Sequence, residues 1–232
     1  MVSFNPDKDI PDLSGRVILV TGGNIGIGKE TVLQLSKHKP ARIYLAARTE
    51  SKAQAAIDEI RKTVPNAAPI SFLSLDLTSF DSIKKAAAEF LSKEDRLDIL
   101  INNAGIMATP NGTTKEGYEI QFGTNHVGHA LLTNLLLPTL KRTAAATSPP
   151  RDVRIVNISS LLENTAPPTN PYDFAKLKTD LWAATSPDVQ SGAFYYPVGL
   201  SVKDTKASKN ARDKDLEDQL WEWTEKELAS HV

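Results

Sequence analysis

The chain has 232 residues, 41% of them hydrophobic and 24% charged, the size and balance of one domain with a sizeable buried core. A formal net charge of -1, with Lys and Arg scattered rather than striped, supplies no basic field for nucleic acid and excludes it as an expected partner. The absence of cysteine rules out disulfides, thiolate metal sites and cysteine nucleophiles, and fits a reducing compartment.

Residues 1–12 read as a polar lead: Asp7, Lys8 and Asp9 interrupt any apolar run of the kind a signal peptide needs. Arg16 to Val20 is a short β-branched run ending in glycines, the pattern of a buried parallel strand. Ile25 to Leu35 carries apolar residues at spacings of three and four and predicts a helix stopped by Pro40. The alternation continues with strands at Arg42 to Ala46, Ile70 to Leu75, Leu97 to Ile101 and Arg154 to Ser159. Helices are expected at Ser51 to Lys62, Ser79 to Leu91 and Phe122 to Leu140. This predicts an α/β fold, a Rossmann-type doubly wound parallel sheet flanked by helices, in a single domain spanning the whole chain.

Ala130 to Leu140 is the most apolar stretch, but it is too short to span a bilayer and holds Thr133, Asn134 and Pro138, so no membrane span is expected and a cytoplasmic location is. Beyond Ser160 the pattern weakens. Asn170-Pro171-Tyr172-Asp173 has the chemistry of a helix start, for a helix reaching about Ala184. Gly192 to Gly199 is aromatic and glycine-bounded, a candidate last strand that makes six rather than seven. A charged C-terminal helix is expected within 213–230, with Leu216, Leu220, Trp221, Trp223 and Leu228 packing onto the domain or a partner.

Thr21-Gly22-Gly23-Asn24-Ile25-Gly26-Ile27-Gly28 sits where the first strand turns into the first long helix. Backbone N–H groups at a helix N-terminus accept a diphosphate if no side chain holds it away, and Gly22, Gly26 and Gly28 leave that surface bare. At the end of the second strand an acid would bond a ribose 2'-hydroxyl, whereas a cation suits a 2'-phosphate. Arg48 stands there, behind Ala46 and Ala47, which predicts NADP(H) rather than NAD(H). Asp76, after the third strand, is placed to accept from an adenine edge. Asn102-Asn103-Ala104-Gly105, after the fourth, offers small residues and amides beside a ribose.

Together, Thr21 to Gly28, Asp76-Leu77, Asn102 to Gly105 and Asn125 resemble the short-chain dehydrogenase/reductase family. The run Asn125-His126-Val127-Gly128-His129 and Arg48 look most like its retinol-dehydrogenase-like, NADP-preferring subgroup. The resemblance covers about Leu13 to Ser160. It implies hydride transfer between the nicotinamide and an alcohol or carbonyl on a small-molecule substrate. It also implies a homo-oligomer paired through the long fourth helix and the catalytic helix.

Reducing a carbonyl leaves negative charge on its oxygen, which needs a proton donor and a second hydrogen bond. Bringing a tyrosine hydroxyl from about 10 to neutrality takes about 4 kcal/mol of charge stabilisation, much of which a neighbouring ammonium supplies. The family uses Y-x-x-x-K, on one face of a helix, with a serine that holds the substrate oxygen. By that pattern Ser160 is the serine, chosen over Ser159, and Asn125 either positions the lysine or a water, or caps or bridges backbone inside its own helix.

Tyr172 and Lys176 form the Y-x-x-x-K of this chain, and by the same pattern both would also touch the cofactor. Two readings of them stand. Locally they are the catalytic pair. In context, Tyr172-Asp173-Phe174 and Leu177-Lys178-Thr179-Asp180 resemble a loop that precedes the catalytic helix in the subgroup. Seventeen residues separate Lys176 from Phe194, too few for a helix and the family's sixth strand as well. An internal deletion between about Asp180 and Leu181 accounts for this and predicts a member that binds NADP(H) without catalysis.

Overall fold

The structure, a computed structural model, describes residues 4–146, 152–159, 181–191 and 214–232. One parallel sheet carries the fold. Its strands are β1 (Val17–Thr21), β2 (Arg42–Ala47), β3 (Ile70–Ser74), β4 (Ile99–Asn102) and β5 (Arg154–Asn157), in the order β3-β2-β1-β4-β5. All four pairings are parallel. The order reverses direction between β1 and β4, and such a switch point opens a crevice at the carboxyl ends of the two strands.

Helix α1 (Pro6–Asp9) lies in the lead, and α2 (Gly26–Ser36), α3 (Glu50–Thr63) and α4 (Phe80–Lys93) connect the first four strands. A short α5 (Ile120–Phe122) runs through a π-helical turn (Gly123–Val127) into α6 (Gly128–Ala145), and α7 spans Lys214–Leu228. The two faces of the strands bury different layers, as period-two alternation requires. Ile18, Val20, Ile43, Leu45, Ile99 and Ile101 pack with α2 and α3, whereas Val17, Leu19, Tyr44, Leu73 and Leu100 pack with α4 and α6.

At the amino ends of β1 and β4 the buried Asp98 carboxylate accepts from Arg96 at both oxygens, 2.5 and 2.9 Å, and from the Val17 amide at 2.9 Å. Three donors on one carboxylate keep that charge satisfied inside the protein.

Two expectations change, and a third falls outside the described residues. The single helix expected over Phe122 to Leu140 is interrupted by the π turn and then continues through Pro138 to Ala145. Side chains serve the carbonyls there: the Thr124 hydroxyl donates to the Ile120 carbonyl at 2.6 Å, and the His129 ring takes the Asn125 carbonyl at 3.0 Å. In the C-terminal helix, Leu228 is fully buried but Trp221 is 56% exposed, so most of the expected apolar content does not pack inward. Polar contacts fix that helix instead. Thr224 bonds His126 at 2.9 Å, and the Tyr118 hydroxyl donates to Glu227 at 2.5 Å, while Trp223 lies edge-on to Tyr118. Finally, five strands form the sheet among the described residues, and the sixth candidate, Gly192 to Gly199, lies outside them.

Residues 181–185 are helical, and the rest of the helix expected from Asn170 to about Ala184 lies outside the described residues. Leu181, Trp182 and Ala184 are buried in the α2–α3 layer. Arg154 donates to the Ala183 carbonyl at 2.9 Å, tying this segment to the amino end of β5.

Candidate active site

The crevice at the switch point is a cavity of about 520 Å³. Thr21, Gly22, Asn24, Ile25, Ile27, Gly28, Arg48, Asp76, Leu77, Asn103, Ala104 and Gly105 line it, which brings together every described cofactor residue expected from sequence except Gly26. Gly26 is the first residue of α2 and has φ +56, a left-handed conformation that costs an L side chain about 1–2 kcal/mol. No side chain caps α2 and no acid stands in its first turn. Its first N–H groups therefore lack partners in the helix and form a ready anion site.

Gly22 closes the crevice floor, where a Cβ would lie 2.9 Å from Ala104 Cα. The Asn103 side-chain amide donates to the Thr21 carbonyl at 2.8 Å, and the backbone N–H groups of Asn103 and Ala104 both donate to the Thr21 hydroxyl at 2.9 Å. The loop after β4 is thus fastened to the end of β1.

At the far end of the cavity Arg48 is exposed, with no hydrogen-bond or ion-pair partner among the described residues. Lys52, four residues on in the first turn of α3, lines the same end and is equally unpaired among them. Thr49 precedes α3 without capping it. Sequence reasoning missed Lys52 and Thr49, although a lysine one turn after Arg48 is a visible signal. Asp76 spends one carboxylate oxygen on Thr78, accepting from its amide at 2.9 Å and its hydroxyl at 2.7 Å.

Asn125 stands beside the cavity, next to the lining residue Thr124. Its side chain pairs both ways with Ile106: the Ile106 N–H donates to Oδ1, and Nδ2 donates to the Ile106 carbonyl, each at 2.9 Å. The pairing runs to the loop after β4, not to backbone within its own helix as one of the two expected roles requires. Ser159 lies two residues beyond β5, after Ile158, whose N–H donates to the Asn102 carbonyl at 3.0 Å. Ser160, Tyr172 and Lys176 lie outside the described residues.

Burial lowers the pKa of His126, within the π turn, and of His129, just after it. No group of three or more His, Cys, Asp or Glu capable of holding a metal occurs among the described residues. No described helix is long and apolar enough to cross a membrane.

The short chain dehydrogenase family matches residues 16–180. An oxidoreductase of Schizosaccharomyces pombe is 49% identical over 165 residues, covering 71% of this chain and 48% of its own length. Human retinol dehydrogenase 13 is 46% identical over 149 residues, covering 64% of this chain and 42% of its own. The chain spans about half the length of the curated relatives it matches. Among solved structures, a protein of Mycobacterium paratuberculosis aligns with TM-score 0.67 and 25% identity, over 95% of this chain and 96% of its own. A metagenomic short-chain oxidoreductase in complex with NADP aligns with TM-score 0.54 and 27% identity, over 75% and 73% of the two chains. The matched residues 16–180 hold all five strands and the whole glycine loop, and the match stops at Asp180. The chain belongs to the short-chain dehydrogenase family of oxidoreductases.

Proposed function

We propose that the chain binds NADP(H) in the switch-point cavity and interconverts a carbonyl and an alcohol on a small hydrophobic substrate. The uncapped N-terminus of α2 at the mouth of that cavity carries the first half of this reading, because it meets a diphosphate with backbone donors and an unopposed helix dipole. Arg48 and Lys52 supply two cations for a 2'-phosphate, and no acid stands at the end of β2 to repel one. The NADP in the aligned metagenomic enzyme and the NADPH of the chicken fatty liver carbonyl reductase, aligned with TM-score 0.51 and 29% identity, support the same choice.

When bound, the nicotinamide supplies or takes the hydride. Thr21, Asn103 and Ala104 would help hold the nucleotide in the cavity they line, and Asn125 holds the Ile106 loop. Ser160 would donate to the substrate oxygen, and Tyr172 would give that oxygen its proton, with the Lys176 ammonium favouring the tyrosinate left behind.

A second reading, nucleotide binding without hydride transfer, rests on a specific observation. Leu181, Trp182 and Ala184 pack in the α2–α3 layer, on the sheet face opposite α6, and the family match ends one residue before Leu181. This is the arrangement an internal deletion at Asp180 would leave.

The experiment is binding of NADPH and NADH to the whole chain by calorimetry, followed by turnover over a panel of aldehydes and ketones. Tighter binding of NADPH together with activity lost in Tyr172→Phe supports the enzyme. NADPH binding with no turnover, and no change in Tyr172→Phe, leaves the second reading. No binding of either nucleotide removes both.

A further inference from the structure

The buried ring of His129 stands apart from the roles assigned so far, yet it closes a circuit of hydrogen bonds beneath the cavity. Its Nδ1 lies 3.0 Å from the Asn125 carbonyl, which can only accept, so Nδ1 carries the proton. Nε2 of a neutral ring is then an acceptor, and it lies 2.8 Å from the Thr21 hydroxyl. Thr21 therefore spends its one proton on His129. Both its lone pairs are left for the Asn103 and Ala104 amides at 2.9 Å. From Ala104 the chain runs to Ile106, which the Asn125 side chain holds at both its amide and its carbonyl. Asn125 leads back to His129.

The opposite tautomer breaks this closure. A proton on Nε2 would give Thr21 a third donor, and the nearest other acceptor for its hydroxyl is the Ile101 carbonyl at 3.5 Å. Nδ1 would then oppose the Asn125 carbonyl with a lone pair. Both Thr21 and His129 are almost wholly buried, so water cannot repair either loss cheaply.

We infer that His129 is a positioning residue: its Nδ1–H tautomer fixes Thr21 as a double acceptor and thereby sets the loop 103–106, which lines the cavity proposed for the nucleotide. The inference rests on the proposed nucleotide site, and its test reads the ring itself as well as binding.

Calorimetry on the whole chain would follow NADPH binding. In His129→Leu the NADPH affinity is expected to fall about tenfold. His129→Gln, whose amide oxygen can accept from Thr21, should recover most of the loss. Long-range 1H–15N spectra of the free wild-type chain should show the Nδ1–H tautomer at His129. If His129→Leu does not fold, Thr21→Ser against Thr21→Val reads the same contact, with only the valine variant weakening NADPH.

A His129→Gln variant as weak as His129→Leu would show a general structural role and overturn the inference, as would unchanged NADPH affinity in a folded His129→Leu, or an Nε2–H or charged ring in the free chain. Wild-type chain that binds no NADPH removes the proposed function, and this inference with it. Wild-type chain that binds NADPH with its ring proton on Nε2 overturns the inference alone.

Discussion

Gly22 and Ala104 approach so closely that a methyl group on Gly22 would lie 2.9 Å from the Ala104 Cα. Gly22 also has φ +65, where an L side chain is strained. Gly22→Ala should therefore push the loop after β4 off the end of β1 and cost about 1–3 kcal/mol, by the usual penalty for overpacking. A urea midpoint equal to wild type would sink this expectation. Gly26→Ala differs, because open space surrounds a Cβ there and only the backbone strain opposes it. It should fold with a smaller loss and show its main effect in nucleotide affinity.

Arg48→Ala should raise the NADPH dissociation constant about tenfold or more and leave NADH nearly unchanged, since it removes a charge-assisted contact to a group NADH lacks. Lys52→Ala should act in the same direction with a smaller effect, its ammonium being a point charge rather than a fork. Parallel losses for both nucleotides in titration calorimetry would show that neither residue reads the 2'-phosphate.

Acid should destabilise the chain through its histidines. His38, His126 and His129 are each held below the ordinary value of 6.5, chiefly by burial. The unfolded chain therefore takes up their protons first as pH falls. Their contribution is complete above 6.5 and is lost as pH drops from there into the range of the lowered values. The exposed carboxylates that are also lowered, Asp7, Asp12 and Glu119, start from 3.8 and 4.5 and act only in stronger acid. Urea midpoints at mildly acid and mildly alkaline pH thus isolate the histidines, and a higher midpoint in acid would contradict the assignment.

Removing the Asp98 carboxylate should cost more than any substitution in the cavity. Asp98→Ala leaves Arg96 and the Val17 amide without an acceptor, and breaking one side of a buried pair costs about 3–5 kcal/mol. The drop should appear in thermal melts with and without NADPH, because the pair lies at the opposite end of the strands from the nucleotide. A melting temperature near wild type would mean that the pair is solvated.

The adenosine and diphosphate half of the site was legible because it is written in contiguous sequence. A strand, a glycine turn and a helix follow one another from Val17 to Ser36, and local backbone geometry alone makes the cradle. Lys52 escaped notice because its meaning depends on the direction of α3 relative to β2. His129 and the double pairing of Asn125 with Ile106 were invisible for a deeper reason. They join segments that periodicity treats as unrelated, and the π turn that aims them is a departure from the helical repeat. The apolar content of α7 was only partly legible: Trp223 meets Tyr118 and Phe122, whereas Thr224 and Glu227 make the polar contacts that seat the helix.

The bond between His126 and Thr224 spans 98 positions of sequence. Chains emerge from the ribosome at about 5–20 residues per second, so roughly 5–20 s pass between synthesis of the turn that bears Asn125 and arrival of its partner on α7. The strands of the crevice have no such wait, since β1 meets β2 within a few tens of residues. During translation the nucleotide cradle can therefore assemble well before the turn beside it is braced, and a nascent chain stalled before Thr224 would present a cradle whose neighbouring wall is still unsupported.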